Sequence, residues 1–211
     1  MSLRLGCAVF LLCAKHAVAQ SRVLTNDWDF RGFGGTSTVD SIGGSLATGV
    51  YIERVTPWQG AKFDPVNKKG TSPDHFVLDN VNVQESEVMV ETMVKYTASA
   101  AGTCIFSCGN QNPYGDPIQL CFESTGKPFF LVRTGTLGGG GNTNKATSPD
   151  ALPQNKWIHI VGYITSTHIG LWVDGAKVAD GTLIGAPGPY LTVGGRDFCR
   201  IGTGPPGAAP N

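Results

Sequence analysis

The chain reads as an all-β protein, and three observations carry that reading. Its 29 glycines and 13 prolines fall mostly between apolar runs, where they punctuate many short strands with turns. No long window shows apolar residues recurring with a helical period. Lys156 to Asp180 writes out strands and their turns directly. Trp157, His159, Val161 and Tyr163 alternate there with Ile158, Ile160, Gly162 and Ile164, a period of two with apolar side chains on both faces, as in a strand packed on both sides. Thr165 to His168 is a polar break, and Ile169 to Val173 resumes the apolar run. Asp174-Gly175 then suits a two-residue type I′ turn, whose central positions both need φ > 0, and Ala176, Val178 and Asp180 continue the return strand.

In chain order, residues 1–19 read first as a secretory signal. Arg4 supplies the positive start, Leu5 to Ala14 the apolar run, and Ala17-Val18-Ala19 the small-x-small cleavage pattern before Gln20. A membrane span needs about twenty apolar residues, and Lys15 with His16 ends this run well short of that. Secretion is therefore expected, with no membrane insertion after cleavage.

Removal of the signal would take Cys7 and Cys13, leaving Cys104, Cys108, Cys121 and Cys199, an even set that in an exported chain favours disulfides. Four cysteines allow three connectivities. Cys104 and Cys121 flank a hairpin about Asn110 to Asp116, which suits that pair and would leave Cys108 with Cys199, but spacing alone does not select among the three. Zinc is a poor fit to Cys104-x-x-x-Cys108, which has no second close pair and no nearby histidine. The remaining chain of about 190 residues suits one sandwich with a sizeable core. Charge is balanced at 16 basic and 16 acidic residues, without a basic run interleaved with aromatics, which argues against nucleic acid and anionic membranes as partners.

Further strands are predicted at Trp28 to Arg31, Gly49 to Val55, His75 to Leu78, Glu87 to Tyr96, Thr103 to Cys108, Ile118 to Glu123, Pro128 to Arg133 and Phe198 to Gly202. Gly32 to Gly44 and Gly138 to Pro153 read as loops. Neither resembles a phosphate cradle, because no Lys-Ser/Thr and no helix start follows the glycines.

The order Trp157-x-His159-Ile160-Val161, a short polar gap, then Leu171-Trp172-Val173-Asp174-Gly175-x-Lys177-Val178 resembles the second half of laminin G-like domains of the concanavalin A-like lectin and glucanase superfamily. Upstream, Trp28-Asp29-Phe30-Arg31-Gly32 is similar to an opening strand of such modules. Val88 to Tyr96 is similar to their V-x-V-E-x-W-V-K strand, with Met93 where Trp often stands. The resemblance spans Trp28 to Gly202. It implies a two-sheet antiparallel jelly-roll sandwich over residues 20–203, a scaffold on which binding modules outnumber enzymes. Such domains close with one more strand after the equivalent of Cys199 to Gly202. Here Gly204 to Asn211 is rich in Pro and Gly, and prolines cannot donate to a ladder, so residues 204–211 read as a truncated end or a linker into further sequence, the alternative being an open sheet edge.

The glucanases of this superfamily place acids on alternate positions of one strand. Glu85, Glu87 and Glu91 share a face here, but Glu87 and Glu91 are roughly 13 Å apart along a strand, whereas a retaining pair needs about 5 Å. Glu85 and Glu87 are nearer but lack the third acid of the E-x-D-x-x-E pattern. His75, His159 and His168 sit beside no nucleophile elbow, so a Ser/His/Asp site is not expected. His159 reads as a hydrogen-bonded core histidine and His168 as an exposed turn residue. The loop Asn110, Gln111, Asn112, Tyr114, Asp116 offers amides, a carboxylate and a stacking aromatic, as lectin-like sites do, although Asn-Pro and Gly-Asp-Pro are also ordinary turn chemistry. Trp58 with Gln59 and Asp64 forms a second such group. Many relatives bind Ca2+ through loop oxygens, but no spaced-ligand signature for it occurs here. The expectation is a secreted, non-catalytic module that binds a glycan or an extracellular protein, with Asn110, Asn112, Tyr114 and Asp116 as its contact residues. The alternatives are a glycoside hydrolase of the same class and a structural assembly unit.

Overall fold

A computed structural model describes residues 3–13, 23–28, 37–39, 46–50, 61–63, 75–78, 87–96, 103–109, 118–134, 142–184 and 198–202. They form an all-β, two-sheet antiparallel jelly-roll sandwich with no helix among the described residues. The strands are β1 (Leu3–Cys13), β2 (Val23–Trp28), β3 (Ser37–Val39), β4 (Leu46–Val50), β5 (Ala61–Phe63), β6 (His75–Leu78), β7 (Val88–Tyr96), β8 (Cys104–Gly109), β9 (Ile118–Phe122), β10 (Pro128–Thr134), β11 (Asn142–Thr147), β12 (Trp157–Ile164), β13 (His168–Val173), β14 (Ala176–Thr182) and β15 (Phe198–Ile201). Sheet A runs β14-β13-β12-β7-β1-β2, with β5 also paired to β1. Sheet B runs β11-β10-β9-β8-β15-β6-β4-β3.

From His75 onward the predicted strands reappear within three residues of their expected ends. Two corrections concern the glycine-rich loops. Ser37–Val39 and Asn142–Thr147, both read as loop, are strands at the edge of sheet B. The sequence of β11 is almost wholly polar, and only Asn144 and Ala146 of its length are buried. Its alternation therefore shows in burial but not in hydropathy. Asn144 closes this end of the sandwich: its Nδ2 donates to Ile184 O at 3.3 Å and its Oδ1 accepts from Ile184 N at 2.6 Å, so one side chain imitates a strand partner.

Strand β1 occupies the segment read as a secretory signal. It lies between β2 and β7 and pairs with β7 from Leu3↔Tyr96 to Cys13↔Val88. Among the described strands, β2 and β5 pair with β1 alone. Cleavage after Ala19 would thus open the β7 edge along Val88–Tyr96 and detach β2 and β5 from sheet A.

The core is built from alternate positions of β7 and β12 in sheet A and from sheet B, whose strand β8 is buried along its whole length. Val88, Val90, Val94, Ile158, Ile160, Ile164, Ile169 and Leu171 of sheet A face Phe76, Phe106, Phe122, Phe130, Ile118, Leu120 and Val132 of sheet B. The four phenylalanines are the largest fully buried side chains, and each contributes about 1.5–3 kcal/mol by leaving water. The Phe130 ring packs on bare backbone at Gly162, where an added Cβ would stand only 2.6 Å from Phe130 Cγ. Two disulfides join directly opposed residues of neighbouring strands, Cys104–Cys121 between β8 and β9 and Cys108–Cys199 between β8 and β15. This is one of the three connectivities that spacing left open. The loops closed are 17 and 91 residues long, worth roughly 3 and 5 kcal/mol on chain-entropy grounds.

The Asp174-Gly175 turn is as the sequence predicts, with φ of 47° and 80°. At the other end of β13, Thr165 N donates to His168 O and Thr165 Oγ1 accepts from His168 N, which makes the polar break a tight turn.

Candidate functional site

Strand β12 differs from the sequence reading in one respect that decides where chemistry can occur. Its even positions, Ile158, Ile160, Gly162 and Ile164, are buried, but its odd positions are not. Trp157 is 40% exposed and Trp172 of β13 is 36% exposed, so neither is a core residue, and His159 is half-buried. The outer face of sheet A is therefore open along these strands. Register arranges that face in rows. One crosses Glu91, Val161, Trp172 and Lys177; the next crosses Met89, Tyr163, Gly170 and Asp180. Toward the other end lie Met93 opposite His159 and Lys95 opposite Trp157.

Gly170 organises the second row. With no side chain on β13 at this point, the Tyr163 ring lies over Gly170, so close that an added Cβ would be 2.5 Å from Tyr163 Oη. The ring thereby reaches across a strand, and Tyr163 Oη donates to Asp180 Oδ1 at 2.7 Å. Lys177 Nζ stands 3.5 Å from Asp180 Oδ2 and 5.9 Å from the Trp172 ring centroid. These contacts set the protonation states. The Tyr163 hydroxyl holds the Asp180 carboxyl below its ordinary value, while burial first, and Asp180 second, push the Tyr163 hydroxyl above its own. At neutral pH the pair is a phenol donating to a carboxylate.

In the middle of the face, His159 Nε2 is 2.7 Å from Glu91 Oε1, and the backbone N–H of His159 donates to Asp174 Oδ1 at 2.8 Å. His159 is hydrogen-bonded, as predicted, but on the open face rather than in the core. His168 is exposed, as predicted, and pairs with Thr167 Oγ1 at 2.7 Å.

The loop residues singled out from sequence, Asn110, Asn112, Tyr114 and Asp116, lie outside the described residues, as do Trp58, Gln59, Asp64 and Glu85. Glu87 stands half-buried just before β7. Among the described residues no three His, Cys, Asp or Glu side chains gather into a metal-binding group. The features missed in sequence are Tyr163 over Gly170, its bond to Asp180, and the open tryptophans. A signal for them was present. Three of the four odd positions of β12 carry Trp, His or Tyr, each with a polar tip, the fourth being Val161, whereas the even positions carry only Ile and Gly.

Residues 69–210 match a laminin G family model described as the concanavalin A-like lectin/glucanases superfamily. The chain belongs to this superfamily. Among curated proteins none matches it. Among solved structures the sandwich is similar to domain 4 of AbnA, a GH43 extracellular arabinanase from Geobacillus stearothermophilus, seen in complex with arabinotriose. The identity is 15%, the match covers 78% of this chain and 77% of that one, and the TM-score is 0.55. More distantly it is similar to an endo-1,3-beta-glucanase from Streptomyces sioyaensis (15% identity, 79% and 66% covered, TM-score 0.43) and to a SAP-like pentraxin from Limulus polyphemus (12%, 56% and 51%, 0.38). At these identities the superfamily member shares a fold with domain 4, and its chemistry must be read from its own residues.

Proposed function

We propose that this chain is an exported, non-catalytic carbohydrate-binding module whose ligand face is the outer face of sheet A, centred on Trp172 and Tyr163. The observation that carries this is an open Trp172 beside a tyrosine ring fixed over Gly170, with carboxylate and ammonium groups at their edges. Sugars present apolar C–H faces for such rings and hydroxyls for such polar groups. The arabinotriose held by domain 4 of AbnA supports the ligand class. Two disulfides and the leader-like residues 1–19 support export. The exported protein is expected to begin at Gln20, and intact mass reads this directly.

A hydrolase would need two carboxyls about 5 Å apart, or up to about 9.5 Å for inversion. On the described face Glu91 and Asp180 sit on β7 and β14, three strand spacings apart, or roughly 14 Å. Each is held by its own neighbours. A glycan array with the exported protein tests the proposal. Binding lost in Trp172→Ala supports it; a flat array sinks it. Binding lost instead in Tyr114→Ala would move the site to the Asn110 to Asp116 loop. Hydrolysis of a β-glucan panel that Glu87→Gln abolishes would establish the enzyme.

A further inference from the structure

The two carboxylates nearest Trp172 are each engaged by a neighbouring side chain, and this constrains the sugar. Lys177 stands against Asp180, and His159 against Glu91. Both groups flank Trp172: its row runs from Glu91 to Lys177, and Asp180 lies in the adjoining row. The ammonium nearest the tryptophan, that of Lys177, thus already faces a carboxylate, and Glu91 is engaged by the His159 ring. An anionic ligand brought onto Trp172 would set its own charge near Asp180 on the neighbouring strand, with Glu91 two strand spacings away on the other side, and like charges oppose binding. A neutral ligand meets the opposite situation. An ionised carboxylate offers about four lone-pair sites. Asp180 uses some for the Tyr163 hydroxyl and the Lys177 ammonium and, being exposed, turns the rest to solvent, where a sugar hydroxyl can donate. Farther along the face, Lys95 of β7 lies opposite Trp157, four residues along the strand from Glu91 and so roughly 13 Å from the Trp172 row.

The second constraint is size. Val161 is the register partner of Trp172, and Trp157 lies four residues back along β12. The two indoles are therefore anchored roughly 14 Å apart, too far for one sugar ring to span.

Resting on the carbohydrate reading of this same face, we infer that the ligand is a neutral, multi-residue glycan chain, laid across the open sheet from Trp172 toward Trp157, and that uronic or sulfated chains are excluded. Uncharged polysaccharides of the arabinan, xylan or glucan kind fit this description; alginate and polygalacturonate do not.

The test is a titration of the exported protein, as secreted, with linear arabinan, xylan, laminarin, alginate and polygalacturonate, together with their monosaccharides, at fixed ionic strength. We expect at least one neutral chain to bind at least tenfold more tightly than either uronic chain and more tightly than its own monosaccharide. Asp180→Asn is expected to narrow the gap between neutral and uronic chains by improving the uronic side. A uronic chain binding as tightly as every neutral one, or a monosaccharide binding as tightly as its chain, overturns the inference while leaving carbohydrate binding intact. Failure of all the sugars overturns the functional reading itself. The comparison among ligands uses the unmodified protein, so it holds even if a variant fails to fold.

Discussion

Two glycines in neighbouring strands each lie under an aromatic ring, on opposite faces of one sheet. Gly162 of β12 points inward and receives Phe130 from sheet B; Gly170 of β13 points outward and receives Tyr163 from its own sheet. The local device is the same, a ring lying where a side chain would stand. The consequences differ because the inner ring is wholly removed from water, while the outer one keeps a polar tip bonded to Asp180 at the solvent boundary. The first contact holds two sheets together. The second shapes a surface. The difference shows that burial, and not the strength of local packing, separates the residues of the fold from those of the site.

Substitutions on the two faces should therefore fail in different ways. The largest loss is expected on the inner face. Phe130→Ala should destabilise by about 3–5 kcal/mol through the cavity it leaves, and Gly162→Val by about 1–3 kcal/mol or more through overpacking against the ring, both read by denaturant unfolding. For a chain this size 1 kcal/mol moves Tm by about 2–4 °C. Cys199→Ser belongs to the same class, at about 2–5 kcal/mol. Gly170→Val should separate the faces most cleanly. It evicts Tyr163 from its place over β13, yet a β-branched residue suits a strand, so stability should change by about 1 kcal/mol or less while glycan affinity falls several-fold. Equal stability losses at Gly162 and Gly170 would erase the distinction.

The smallest effect is expected from Tyr163→Phe, and it carries a pH signature. Asp180 titrates below its ordinary 3.8 in the folded chain, so the stabilisation from its bond is in place above about pH 4 and is lost as pH falls through the lowered value. Tyr163 titrates above its ordinary 10.0, so the same bond is in place below that pH and is lost as pH rises through the raised value. The Tm difference between the native chain and Tyr163→Phe should be constant from pH 5 to 9 and shrink at both extremes. A difference independent of pH would mean that the hydroxyl contributes nothing through Asp180.

Much of the sandwich was legible in the sequence because its signals are local. Alternation along Trp157 to Ile164, the Asp174-Gly175 turn and the order of the strand motifs need no knowledge of distant partners. Strand β11 was not legible, since NTNKAT has almost no hydropathic contrast. Residues 3–13 satisfy the pattern of a leader and that of a central strand alike, because both are runs of apolar residues. The site was harder still. Tyr163 meets Asp180 only because β13 stands between their strands with a glycine at that register and because the bulge at Leu171/Trp172 sets the pairing with β14. Trp157 reads as packed on both sides, and Trp172 as part of an apolar run, because an apolar residue in a strand is assigned inward by default. Their exposure follows from the stacking order of the two sheets.

The central claim is that the outer face of sheet A is the ligand surface and is separable from the core beneath it. Binding of a neutral polysaccharide by the exported protein and by its Trp172→Ala variant, with thermal unfolding of each, tests this most directly. We expect affinity to drop about tenfold or more while Tm falls by no more than about 4 °C. Unchanged binding in the variant, or binding lost only together with a collapse of Tm like that of Phe130→Ala, would contradict it.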